Sequence, residues 1–102
     1  MLLITKAKYL TEYKIYLESS DGKNGNVDLE KYIFSTKLKF IQPLRDINIF
    51  QKFRLDYTLI WSDEIDLAPE FLYFKTFEND KSLQEQFKKW GYIYNSQTPC
   101  LS

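Results

Sequence analysis

Alternation of apolar and polar positions is clearest near the start of the chain. Tyr13, Ile15 and Leu17 alternate with Lys14, Tyr16 and Glu18, the period-two pattern of a half-buried strand. Residues 2–9 and 12–19 therefore predict two strands, joined as a hairpin by the tight connection Leu10-Thr11-Glu12. The stretch Ser19 to Gly25 gathers turn residues, with Gly22 behind Asp21 and Gly25 behind Asn24. Asn26-Val27-Asp28-Leu29 predicts a third short strand and so a β-meander. Asp28 is placed to cap a short helix that ends near Ser35-Thr36. Lys31 stands where a capping box would want Glu or Gln.

Further along, the pattern is mixed from residue 37 to 48. Leu44-Arg45-Asp46 predicts one helical turn, and Asp46 through Phe50 is expected to lead into a strand. Lys52 to Asp56 alternates again with Phe53 and Leu55 inward, and Tyr57 to Trp61 is rich in strand formers. After a break at Thr76 to Asp80 the period becomes helical. Ser82 and Glu85 have capping-box spacing, Leu83, Phe87 and Trp90 fall at i, i+4 and i+7, and Gly91 supplies a stop. A helix of two to three turns is marginal alone in water, so its apolar stripe must rest on the sheet or on a partner chain. The pattern predicts an α+β fold: a small antiparallel sheet with a short helix over residues 1–75, and a C-terminal amphipathic helix within a tail over 76–102.

Composition narrows the function classes. With 14 basic and 14 acidic residues the formal charge is zero, and nucleic-acid binding normally leaves a basic excess; the expectation is no nucleic-acid ligand. Histidine is absent, which removes the commonest general base and metal-binding side chain. The one cysteine, Cys100, precludes an intrachain disulfide and has no neighbouring cation to activate it. Apolar runs fall short of the roughly 18 residues of a membrane span, and Lys6 and Lys8 interrupt any leader-like stretch. The expected compartment is the cytoplasm. Eight Tyr, eight Phe and two Trp are more rings than a domain of this size hides easily. Some are expected on a face that another chain covers, and a homodimer is the expected assembly.

Trp61 to Tyr73 is the segment densest in residues that must be placed rather than merely buried. Its run, Trp61, then Asp66-Leu67-Ala68-Pro69-Glu70, then Leu72-Tyr73, resembles a bacterial family of small proteins known as domain of unknown function 2442. Tyr13, Asp21-Gly22, Val27-Asp28-Leu29, Pro43-Leu44, Asp46, Phe50 and Leu55 extend the resemblance over about residues 1–75. It implies a meander, a short helix and further strands, occasional encoding beside small toxin-like partners, and no established activity. One departure is Asp63-Glu64 where the family is expected to carry Asn-Gly; a Glu there would strain a primed turn, so a different or longer turn is expected.

Asp63, Asp66 and Glu70 form a carboxylate cluster that a small metal-dependent or acid–base enzyme could use. The competing reading has Asp66 capping the turn into Pro69. Trp61 reads as core more readily than as a ligand platform, and Arg45 and Asp46 read as ordinary surface charges. No catalytic residue, cofactor or metal is assigned. The function these residues favour is a non-enzymatic protein-interaction module, its most specific form the neutralising member of a toxin–antitoxin-like pair. Trp61, Tyr73, Leu83, Phe87 and Trp90 are its candidate contacts.

Overall fold

Alternation in the first thirty residues produces the meander it predicts. The computed structural model describes residues 2–62 and 64–92. Strands β1 (Ile4–Thr11), β2 (Lys14–Ser19) and β3 (Asn24–Asp28) form an antiparallel sheet in that order. The register sets Lys8 opposite Tyr16 and Tyr16 opposite Asn26, while Ile15 faces both Tyr9 and Val27. Ile15, Leu17 and Val27 therefore share one face, and all three are buried. Glu12 takes a left-handed φ of 51° in the first turn and Gly22 one of 90° in the second. Gly25 is not part of that second turn but lies inside β3. A Cβ there would come within 2.9 Å of Thr76 Cγ2, so this glycine lets a later helix lie close against the strand.

Helix α1 (Glu30–Ser35) begins after Leu29, and the Asp28 carboxylate accepts the Glu30 N–H at 3.0 Å. A 3-10 turn (Gln42–Arg45) carries Pro43 in its first turn. The segment expected to lead into the next strand is itself a helical turn, α2 (Ile47–Phe50). Asp46 decides this: its carboxylate accepts from Asn48 N at 2.9 Å and its carbonyl from both Ile49 and Phe50. A second antiparallel sheet holds β4 (Arg54–Leu55), β5 (Leu59–Ser62) and β6 (Ile65–Leu67) in order. Leu55, expected inward, is exposed, because β4 is a two-residue strand. A register shift between Ile60 and Ser62 lets Ser62 pair with Ile65, and Glu64 N–H donates to Ser62 Oγ at 3.3 Å. The two sheets meet where Ile4 N–H donates to Tyr57 O.

Where the sequence suggests a turn into Pro69, the chain enters a helix that runs to Phe77, into the expected break. Pro69 occupies the first turn of α3 (Pro69–Phe77), where its missing N–H has no partner to lose. This helix runs across residue 75, where the sequence pattern had divided the chain. A 3-10 turn (Lys81–Leu83) leads into α4 (Gln84–Trp90). Asp80, not the Ser82–Glu85 pair, is the cap: it accepts from Ser82 N and Oγ at 2.9 and 2.7 Å. Gly91, at φ 87°, closes α4 with Tyr92 N–H on Phe87 O and Gly91 N–H on Lys88 O. One apolar cluster, including Ile15, Leu29, Ile33, Leu44, Phe50 and Leu72, binds both sheets and helices. The class is α+β, as the sequence implies. No helix among the described residues is long and apolar enough to cross a membrane.

Candidate interaction surface

Helix α1 ends with carbonyls that have no partner within the helix and with no basic residue in its last turn. Arg45, from the 3-10 turn, reaches back to supply one. Its Nε donates to Ile33 O at 3.0 Å, and its Nη2 to Phe34 O and Thr36 O at 3.4 and 3.3 Å. Gln42 Nε2 adds a bond to Thr36 O, and the Tyr13 hydroxyl donates to the Arg45 carbonyl. Arg45 is thus a structural clasp rather than the ordinary surface charge its sequence neighbours suggest. Within the loop, Leu38 N–H donates to Thr36 Oγ1 at 3.1 Å and Ile41 N–H to Leu38 O at 3.0 Å, while Ile41 is buried.

These bonds hold residues 36–41 without using the loop's own apolar side chains. Phe34, Leu38 and Phe40 remain 50%, 48% and 46% exposed. Phe34 meets Tyr13 edge-on at 5.3 Å, and the Arg45 guanidinium carbon lies 5.6 Å from its ring centre. The charge along this ridge is one-sided. Lys31, Lys37, Lys39 and Arg45 fall between residues 31 and 45 with no acidic residue among them. Among the described residues the three lysines make no ion pair. Glu30 and Asp46 bracket the run on the Tyr13 side: partial burial, then these two carboxylates and Tyr9, push the Tyr13 hydroxyl above its ordinary pKa.

The residues expected to face a partner lie elsewhere and mostly inside. Trp61 packs between Phe50 and Phe53 and donates its Nε1–H to Phe50 O at 2.7 Å. Tyr73 is 4% exposed, its hydroxyl donating to Asp21 Oδ2 at 2.6 Å. Phe87 is fully buried, 5.0 Å from Phe74. Trp90 and Leu83 are half-buried, Trp90 against Tyr73, Phe87 and Tyr92. The α4 stripe therefore rests on α3 of the same chain, which leaves Tyr73 and Phe87 no surface for a partner.

Asp66 is exposed on β6 and Glu70 half-buried in the first turn of α3. The α3 N-cap is Ala68, without a side-chain cap, so Asp66 does not close that turn as expected. Burial, then the Glu70 charge, raises the Tyr92 hydroxyl pKa. Asp63 and Cys100 lie outside the described residues. Among those described, no group of three His, Cys, Asp or Glu could hold a metal ion, and no pocket is found. The ridge does have a sequence signal: Lys37-Leu38-Lys39-Phe40 alternates lysine with large apolar residues, yet the segment pairs with no strand.

No curated protein is similar enough to match the chain. A solved structure from Nitrosomonas europaea, of a protein named "Putative DNA Binding Protein", shares the fold at TM-score 0.64 and 15% identity, covering 91% of this chain. The present chain spans 63% of that protein. The expectation that nucleic acid is no ligand is overturned by this neighbour, in which the same fold forms part of a protein named for DNA binding. The physical weakness of that expectation is also visible, because a net charge of zero hid the basic run from 31 to 45. Residues 4–78 match the family described as "Protein of unknown function (DUF2442)", and the chain belongs to that family.

Proposed function

We propose that this chain is a non-enzymatic binding module that contacts nucleic acid through the ridge from Phe34 to Phe40. One observation carries the reading: a run of four cations without an intervening acid, from Lys31 to Arg45, includes three half-exposed apolar side chains, Phe34 at the end of α1 and Leu38 and Phe40 on a backbone-fixed loop. Affinity for nucleic acid comes largely from neutralising phosphates, so the local field matters more than the net charge. The name of the Nitrosomonas neighbour lends support. A pre-ordered loop also avoids the entropy cost of ordering on binding. A second reading is a protein partner, with a toxin–antitoxin-like pair as its most specific form. Leu38 favours it, since an aliphatic side chain offers no stacking surface and suits an apolar interface. The enzyme alternative has less support, because Asp66 and Glu70 sit on different elements and Asp66 points to solvent.

The test is fluorescence anisotropy with labelled single-stranded and duplex DNA, from about 50 to about 200 mM salt. Saturable binding that weakens with salt, and is lost in Lys37→Glu/Lys39→Glu, is the expected result. No binding by the wild-type chain at any salt overturns the nucleic-acid reading. Co-elution with the product of the neighbouring gene, abolished by Leu38→Ser, would then establish the protein reading.

A further inference from the structure

The geometry points to single-stranded rather than duplex nucleic acid as the ligand of the ridge, with bases stacked on Phe34 and Phe40 and phosphates held by Lys31, Lys37 and Lys39; this rests on the function proposed above. A duplex reader needs an element that enters a groove, and the major groove accepts an extended helix or a two-stranded ribbon. Here α1 has six residues, about 9 Å of helix. Two of the lysines lie beyond its end, on the 36–41 loop. No long basic helix is available at this surface.

The apolar groups point the same way. In a duplex the base faces cover one another and only their edges are open, to be read by hydrogen bonds that a phenylalanine cannot make. An unpaired base offers its π-face, which an exposed ring covers without regard to sequence. Phe34 already carries a guanidinium beside its ring while half its surface stays open, the combination of cation and aromatic that single-strand sites use. Leu38 lies between the two rings in sequence and fits the sugar or base edge of a splayed strand. No pocket is found among the described residues, so a strand lying across the ridge fits better than one flipped base held in a cavity.

The experiment titrates the full chain with a labelled single strand and with the duplex of the same sequence, each competed by the other. The variants are Phe34→Leu/Phe40→Leu, which keeps apolar bulk but removes the rings, and Lys37→Gln/Lys39→Gln. Circular dichroism confirms that each is folded. The expected result is a single-strand preference of roughly tenfold or more, reduced about tenfold in the leucine variant with its salt dependence unchanged. The glutamine variant is expected to lower the slope of log affinity against log salt by about 1.4, or about 0.7 per phosphate contact. Duplex binding as tight as single-strand binding, or a leucine variant that binds like wild type, overturns the single-strand inference while leaving nucleic-acid binding in place. Binding of neither strand overturns both.

Discussion

Two aromatic regions of this molecule use the same residue types to opposite ends. At the C-terminal side, Tyr73, Phe74, Phe87, Trp90 and Tyr92 pack on one another; Phe74 stacks on Tyr92 at 5.0 Å and 11°, and Tyr73 meets Phe77, Phe87 and Trp90 edge-on. There the rings of Tyr73 and Phe74 on α3 meet those of Phe87 and Trp90 on α4. At the ridge, Phe34 lies in the last turn of α1, and Leu38 and Phe40 sit on a loop held by Arg45, Gln42, Thr36 and the buried Ile41. Because the backbone is secured by other groups, Leu38 and Phe40 are expected to add little to folding, and all three side chains stay about half exposed. A ring count by itself does not locate an interface; what decides is whether the local backbone stands without the rings.

The difference can be broken most severely at Phe87. Phe87→Ala leaves a cavity beside the rings of Tyr73, Phe74 and Trp90 and is expected to destabilise the chain by about 3–5 kcal/mol in urea denaturation, with single-strand binding retained wherever the protein is still folded. At the ridge the sensitive residue is the clasp. Arg45→Met deprives the carbonyls of Ile33 and Phe34 of a side-chain donor, leaves Thr36 O only Gln42, and should cost about 1–2 kcal/mol, since the site is only partly buried. It should also weaken binding by more than the loss of one charge, which a titration against Lys39→Gln would reveal.

The weaker of the stability effects depends on pH. Burial works to raise the Asp21 carboxyl, but hydrogen bonds from Ser19, Tyr73 and the Lys23 N–H, with the Lys23 charge, outweigh it and hold its pKa below the ordinary 3.8. Burial, then the bond to Asp21, pushes Tyr73 well above 10.0. The bond joins a neutral phenol to an ionised carboxylate. Its stabilisation is therefore fully present from pH 3.8 to pH 10.0. It is lost as pH falls through the depressed Asp21 value or rises through the raised Tyr73 value. Tyr73→Phe should cost about 1 kcal/mol near neutrality. Unfolding measured down the acid limb should show that gap shrinking as Asp21 is protonated.

Much of the first sheet was legible because each strand keeps one buried and one solvated face: Ile15, Leu17 and Val27 had no other face to take. The Gly91 stop was legible for a similar reason, since a left-handed residue after a periodic stripe has few other uses. Helix α3 was not. Phe71-Leu72-Tyr73-Phe74 shows no single apolar stripe, because β3 approaches one side of the helix through Gly25 and α4 covers another. Pro69 then read as a bend rather than as a first helical residue. Asp46 to Phe50 was read as a lead into a strand because a four-residue helix is too short to show a period, and its cap alone fixes its type. The carboxylate cluster is dense in sequence, but Asp66 belongs to a strand and is exposed, while Glu70 belongs to a helix and is half-buried. The ridge is masked in the sequence because acidic residues elsewhere cancel its charge, and because the Arg45 clasp spans eleven and twelve residues.

The central claim is that the ridge side chains serve a ligand and not the fold. Equilibrium urea unfolding of Leu38→Ser/Phe40→Ser beside wild type, with single-strand affinity measured on the same samples, tests it most directly. Unfolding free energy within about 0.5 kcal/mol of wild type, together with a roughly tenfold or greater loss of affinity, is the predicted outcome. A loss of about 2 kcal/mol or more in stability, with any surviving folded protein binding as before, would contradict it.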